Sequence, residues 1–209
     1  MPTILEDFGA RVENIWKDLR PTTRSLVERA WRTTPGAVGT IPRTQTAAYD
    51  ARADAELRRL LTALDEQAGE LTNPASDERS RKARRMADTC AGLLMEQTQS
   101  AEMFAKLILR AQALKDYASM DRIADALAKR LAPSEVCELA RSDNIIVRAL
   151  GQEVLTQAPP ATLAVLARDP IDASEARLAL IRQAHEYGSD TARTVLRELE
   201  REEFGVEEF

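Results

Sequence analysis

Histidine is almost missing from this 209-residue chain, and His185 is its single copy. Its scarcity removes the usual histidine-rich metal sites and nucleophile–base pairs. Cysteine is nearly as scarce. Cys90 and Cys137 fall at apolar helical positions, which points to buried free thiols rather than a disulfide framework. Aromatics make up 4% of the residues against 44% hydrophobic overall, so the core must be built from small and medium aliphatic side chains. Such cores suit closely packed helices. No apolar run approaches the roughly 20 residues that a membrane helix needs. The N-terminal stretch carries Glu6, Asp7 and Glu13 and does not read as a secretory signal. Phosphate-binding glycine loops and the HExxH zinc pattern are missing as well.

Positive charge is in deficit where the chain ends. Residues 131–209 hold eight arginines against fifteen acids, and the formal total of −5 arises there. Generic phosphate binding needs a positive field, so nucleic acid is a disfavoured partner overall.

What the chain does have is helical periodicity. Leu5, Phe8, Val12, Ile15, Trp16 and Leu19 form an amphipathic stripe over 4–19, and Leu26, Val27, Ala30 and Trp31 continue after Pro21. Residues 1–32 therefore read as an N-terminal helical hairpin or arm, with Trp16 or Trp31 as anchors. Residues 33–49 contain two prolines, two glycines and five threonines without helical period, and read as a flexible loop or linker. Helical patterning returns over 50–71, about 76–99 and about 101–115; Lys115-Asp116-Tyr117 reads as a turn, followed by Met120, Ile123, Ala124, Leu127 and Leu131 at helical spacing. Residues 50–200 read as one helical-repeat domain, and 201–209 as an acidic C-terminal tail. No alternating β-branched or aromatic run predicts a strand.

An imperfect duplication marks the second half. PSEVCELAR at 133–141 is answered 27 positions later by PATLAVLAR at 160–168, and DNIIVRAL at 143–150 is answered 29 positions later by DASEARLA at 172–179. Each copy reads as helix, polar turn, helix. Paired helices of this kind cover their apolar faces by stacking on neighbours. The expected fold is all-α, with stacked antiparallel helical hairpins forming a short α-solenoid or helical-repeat bundle.

Asp143 stands before Val147-Arg148-Ala149-Leu150, and Asp172 before Ala176-Arg177-Leu178, with the same acid-to-arginine spacing. Over about 133–185 this resembles HEAT and armadillo-like repeats, whose second helix often opens with an aspartate followed by Val-Arg. The resemblance implies a curved stack whose surface binds a protein or peptide, and it implies no chemistry. The aspartate is expected to cap the helix N-terminus. The arginine is expected to bridge to a carboxylate of the neighbouring repeat while its stem covers apolar surface.

Candidate binding residues follow from charge and exposed anchors. RSRKARR at 79–85 supplies Arg79, Arg81, Lys82, Arg84 and Arg85, suited to an acidic partner or to phosphate. Arg141 and Arg168 occupy matching places in the duplication, either lining a ridge of the stack or closing a helix against its dipole. Residues 198–209 carry six acids and one arginine around Phe204, Val206 and Phe209, the pattern of a docking segment or a frayed end. Glu66 and Glu70 form an i,i+4 pair, but without Glu-x-x-His they read as ordinary surface charge. The expectation is a cytoplasmic, non-enzymatic scaffold that binds another protein or a second copy of itself, without cofactor, metal or membrane. A nucleic-acid-associated protein using 79–85 and an enzyme built on carboxylates and arginines are the alternatives.

Overall fold

The computed structural model describes residues 8–33, 50–70 and 78–204, and among these every regular element is an α-helix. The chain divides into two compact units, Met1–Thr98 and Gln99–Phe209.

The first unit contains α1 (Ala10–Asp18), α2 (Pro21–Thr33), α3 (Ala51–Glu70) and α4 (Glu78–Gln97). α3 packs along α4, while α1 lies on α3 and α2 on α4. Residues 4–7 of the 4–19 stripe lie outside the described residues, and α1 begins at Ala10. Gly9, at its N-cap, takes φ 85, a positive φ that favours glycine and is not helical. Phe8 is nevertheless buried with Val12, Trp16 and Leu19, and so are Leu57, Leu60 and Leu64 of α3 and Met86, Leu93 and Leu94 of α4. Trp16 is therefore core rather than an exposed anchor, and Trp31 is half-buried. The 33–49 segment lies outside the described residues, apart from Thr33 at the end of α2.

A polar cluster joins the α1–α2 corner to the start of α3. Arg20 donates to both carboxylate oxygens of Asp50 (2.6 and 3.0 Å) and to Glu56 at 3.0 Å, and the Thr23 hydroxyl donates to the other oxygen of Glu56. Asp50 also caps α3 by accepting the Ala53 N–H at 2.9 Å. Arg20, first, and this backbone donor, second, hold the Asp50 carboxyl well below the usual range. Thr98 donates to Asp54 at this same end of α3, and at the other end the buried Ser80 hydroxyl donates to the Ala68 carbonyl.

The second unit runs α5 (Ala101–Ala113), α6 (Tyr117–Arg130), α7 (Pro133–Ala140), α8 (Ile145–Thr156), α9 (Pro160–Leu166), α10 (Ala173–His185) and α11 (Asp190–Phe204). Consecutive helices pair as α5–α6, α7–α8 and α9–α10. The pairs then stack: α7 touches α5 and α9, α8 touches α6 and α10, and α11 closes the row on α9 and α10. The duplicated segments thus bury each other's apolar sides. Phe104, Ile108, Leu127, Leu155, Leu163 and Leu180 are fully buried along the row.

Local chemistry explains the helix ends. Pro133 and Pro160 each occupy the first helical position, where no N–H is needed. Asp116 caps α6 through the Ser119 N–H, after Lys115 turns the chain at φ 55. Gly151 permits a close pairing of α7 and α8. A methyl group there would come within 2.7 Å of the Ala140 nitrogen and 2.9 Å of Leu139. α7 and α8 can meet at this depth only because that side chain is missing.

Candidate functional site

The expected aspartate caps are not made. α8 is capped one residue later, by Asn144, whose side-chain oxygen accepts the Ile146 and Val147 N–H groups at 3.0 and 3.2 Å. Asp143 is exposed beside it. Asp172 does occupy the N-cap position of α10 but makes no side-chain cap bond. It is buried and accepts Arg141 Nη1 at 2.7 Å instead. A charge-assisted bond to a guanidinium is stronger than one to a neutral N–H, so the cation claims the carboxylate.

Arg141 ends α7 and reaches forward into the next hairpin, where it also meets the Ile171 carbonyl at 3.1 Å and Glu175 at 3.4 Å. Arg168, its counterpart, ends α9 and grips Glu202 of α11 with two bonds of 3.0 and 2.7 Å. Arg141–Glu175 and Arg168–Glu202 share a sequence separation of 34, yet one acid opens α10 and the other closes α11. Arg177 pairs with Glu203, with one bond of 2.9 Å, and so bridges to α11, which lies outside the duplicated segment. Arg148 does not. It turns back to the Ser142 and Asp143 carbonyls of its own hairpin.

These contacts tie down side chains read as candidates for external binding. Glu202 and Glu203 lie in the last turn of α11, which extends into the 201–209 segment. Their carboxyls are held below the ordinary value by hydrogen bonds from Arg168 and Arg177, which are correspondingly raised. Phe204 is the last helical residue, its side chain lies outside the described residues, and so does Phe209. On α4, Arg79, Arg81, Arg84 and Arg85 are exposed, while Lys82 is half-buried with its ammonium 5.5 Å from the centre of the Phe8 ring. Glu66 pairs with Arg11. His185 is exposed at the end of α10.

The surface that the sequence did not single out is the outward face of α8 and α10. Ile145, Ala149 and Gln152 run along α8 at i, i+4, i+7, and Ser174, Leu178 and Ile181 run along α10 at the matching positions. Matching positions of two stacked copies face the same side. Ile145 is 69% exposed, Leu178 41% and Ile181 44%, with Ile171 at 73% just before α10. Among the described residues, every large hydrophobic that stands exposed lies in the second unit. A signal was present in the sequence: α10 is apolar on too many sides, with Leu178 and Ile181 interleaved with the buried Ala176, Ala179, Leu180 and Ala184.

Among the described residues no helix is long and apolar enough to cross a membrane, and no group of His, Cys, Asp or Glu could hold a metal ion. Burial, first, and the nearby Asp172 carboxylate, second, push the Cys137 thiol up to about 12, so it is not an activated nucleophile at neutral pH. No protein-family model, curated protein or solved structure matches this chain.

Proposed function

We propose that this protein is a non-enzymatic helical-repeat scaffold, of the HEAT or armadillo-like kind, which binds another protein through the outward face of α8 and α10. The carrying observation is the exposed aliphatic stripe of Ile145, Leu178 and Ile181 on two stacked helices. Aliphatic side chains on neighbouring helices of one stack favour removal from water by a complementary apolar face. The row of paired helices supports the repeat reading. A cytoplasmic setting belongs to the same proposal, because two buried, unlinked thiols suit a reducing compartment.

The test is affinity capture from native lysate on the full chain, beside the pair Leu178→Asp and Ile181→Asp. Both positions are partly exposed, so the fold should survive the pair at a cost of about 2 kcal/mol. A saturable protein partner retained at high salt by the parent and lost by the pair is the expected result. Unchanged capture removes the stripe from the proposal. Salt-labile retention of a generic duplex, indifferent to the pair, would favour the arginines of α4 and a nucleic-acid role.

A further inference from the structure

A cleft of about 410 Å³ opens where α8 and α10 end, walled by Glu153, Thr156, Pro159, Pro160, Gln183 and Tyr187. Gln183 is 93% buried there and is fixed by its amide nitrogen, which donates to the Thr156 and Ala158 carbonyls at 2.7 Å each. Two carbonyl acceptors leave no choice of amide orientation. The Gln183 Oε1 atom is therefore an acceptor by necessity, and it is buried without any hydrogen-bond partner. An unpaired buried carbonyl is costly and calls for a donor.

The surrounding groups have the same bias. Glu153 is half exposed and held only loosely, with Arg182 at 3.3 Å on one oxygen and the Tyr187 hydroxyl at 3.5 Å on the other. Arg182 is shared between Glu153 and Glu186, which leaves that trio one negative charge in excess. Two helix C-termini, those of α8 and α10, end at the cleft and add partial negative charge. Helix N-termini also border it, but with fewer donors than usual. At α9 Pro159 and Pro160 carry no N–H, and at α11 the Ser189 hydroxyl oxygen takes up the Ala192 N–H, which removes three possible donors. The proline rings and the Tyr187 ring supply apolar walls beside these acceptors.

We propose that this cleft binds a guanidinium or alkylammonium group carried on an apolar stem, with the cation at Glu153 and the stem against Pro159, Pro160 and Tyr187. A free small cation and an arginine or lysine side chain of a protein share this chemistry. The site is independent of the α8–α10 stripe, so either reading can fail alone.

The experiment titrates the isotope-labelled full chain with butylguanidinium, with neutral butylurea and with acetyl-Gly-Arg-Gly-amide, following amide resonances by NMR. Butylguanidinium is expected to shift residues 153–160 and 183–189 saturably, and butylurea to leave them in place. Glu153→Gln should weaken binding about tenfold. Glu186→Gln removes the same charge from the other side of Arg182, farther from the bound cation, and should weaken binding less than Glu153→Gln does. Thermal melts certify that both variants are folded. If the peptide binds tighter than butylguanidinium, the natural cation is a protein side chain; equal binding assigns a free small cation. The proposal is overturned if butylguanidinium and the peptide both leave these residues unmoved at millimolar concentration, if butylurea binds equally well, or if Glu153→Gln binds like the parent. Should Glu153→Gln melt early, Tyr187→Ala replaces it. Loss of the apolar wall must then weaken the guanidinium, and unchanged affinity overturns the site.

Discussion

Arg141, at the end of α7, places one guanidinium nitrogen 2.7 Å from the Asp172 carboxylate, which is almost wholly buried at the start of α10. The pair spans 31 residues and fastens one hairpin to the next. Arg141→Ala would leave Asp172 buried beside Glu175 without its cation. The expected loss is roughly 2 kcal/mol in urea unfolding, because an unsatisfied buried charge costs more than the bond it lost contributes. In a double-mutant cycle with Asp172→Ala the losses should be strongly non-additive, since the second change removes the stranded charge. Additive losses would show that the pair is not coupled.

Gly151 and Gly92 make opposite predictions from the same substitution. Both lie inside helices, where alanine gains up to about 1 kcal/mol over glycine. At Gly92 nothing lies within 4 Å of the added methyl, so Gly92→Ala should stabilise the protein. At Gly151 the methyl meets backbone of α7 at 2.7 Å, which cannot yield as a flexible side chain would. Forced overpacking costs about 1–3 kcal/mol, more than propensity returns. Gly151→Ala should therefore lower the urea midpoint while Gly92→Ala raises it. A rise in both would mean that α7 and α8 are not in close contact.

Helix positions were readable from the sequence because apolar spacing and proline placement act locally. Pro133, Pro160 and the stripes of Leu57 to Leu64 and Phe104 to Ala111 all lie where that spacing puts them. The stacking of 133–156 on 160–184 was readable too, since an amphipathic hairpin cannot cover its apolar face alone and its nearest similar neighbour follows directly in the chain. Roles of charged residues were not. Whether Asp172 caps a helix or holds Arg141 depends on which cation folding brings beside it, and Arg141 lies 31 residues away. Gln183 gave no signal at all, for its importance comes from two carbonyls on a neighbouring turn.

The two cysteines yield a prediction in alkali. Cys137 is fully buried, and its thiol is raised from 9.0 to about 12, chiefly by burial and then by Asp172. The folded state thus holds the proton more tightly than the unfolded one. Its contribution to stability is complete below pH 9 and is lost as pH rises from there toward 12. At pH 8 a disulfide reagent should label neither Cys90 nor Cys137 in the native protein, and both in urea. In Cys137→Ser, buried hydroxyl replaces thiol and the alkaline fall between pH 9 and 12 should flatten. Fast native labelling of Cys137 would contradict its burial.

The acidic end of α11 responds to the opposite extreme. Hydrogen bonds from Arg168 and Arg177 lower the Glu202 and Glu203 carboxyls below their ordinary 4.5. A lowered carboxyl favours the folded state above the unfolded value and loses that advantage as pH falls through the lower folded one. Both acids are exposed, and salt should weaken the effect. Amide exchange along 198–204 should accelerate as pH drops below about 4.5, after correction for intrinsic rates, before the buried helices α7 and α8 respond. Removing both cations with Arg168→Gln and Arg177→Gln should produce that faster exchange already at pH 7 and abolish its further acid dependence. If the double variant protects 198–204 as well as the parent at pH 7, packing of Ala192 and Leu199 alone holds the helix, and the two arginines contribute nothing measurable to closing the stack.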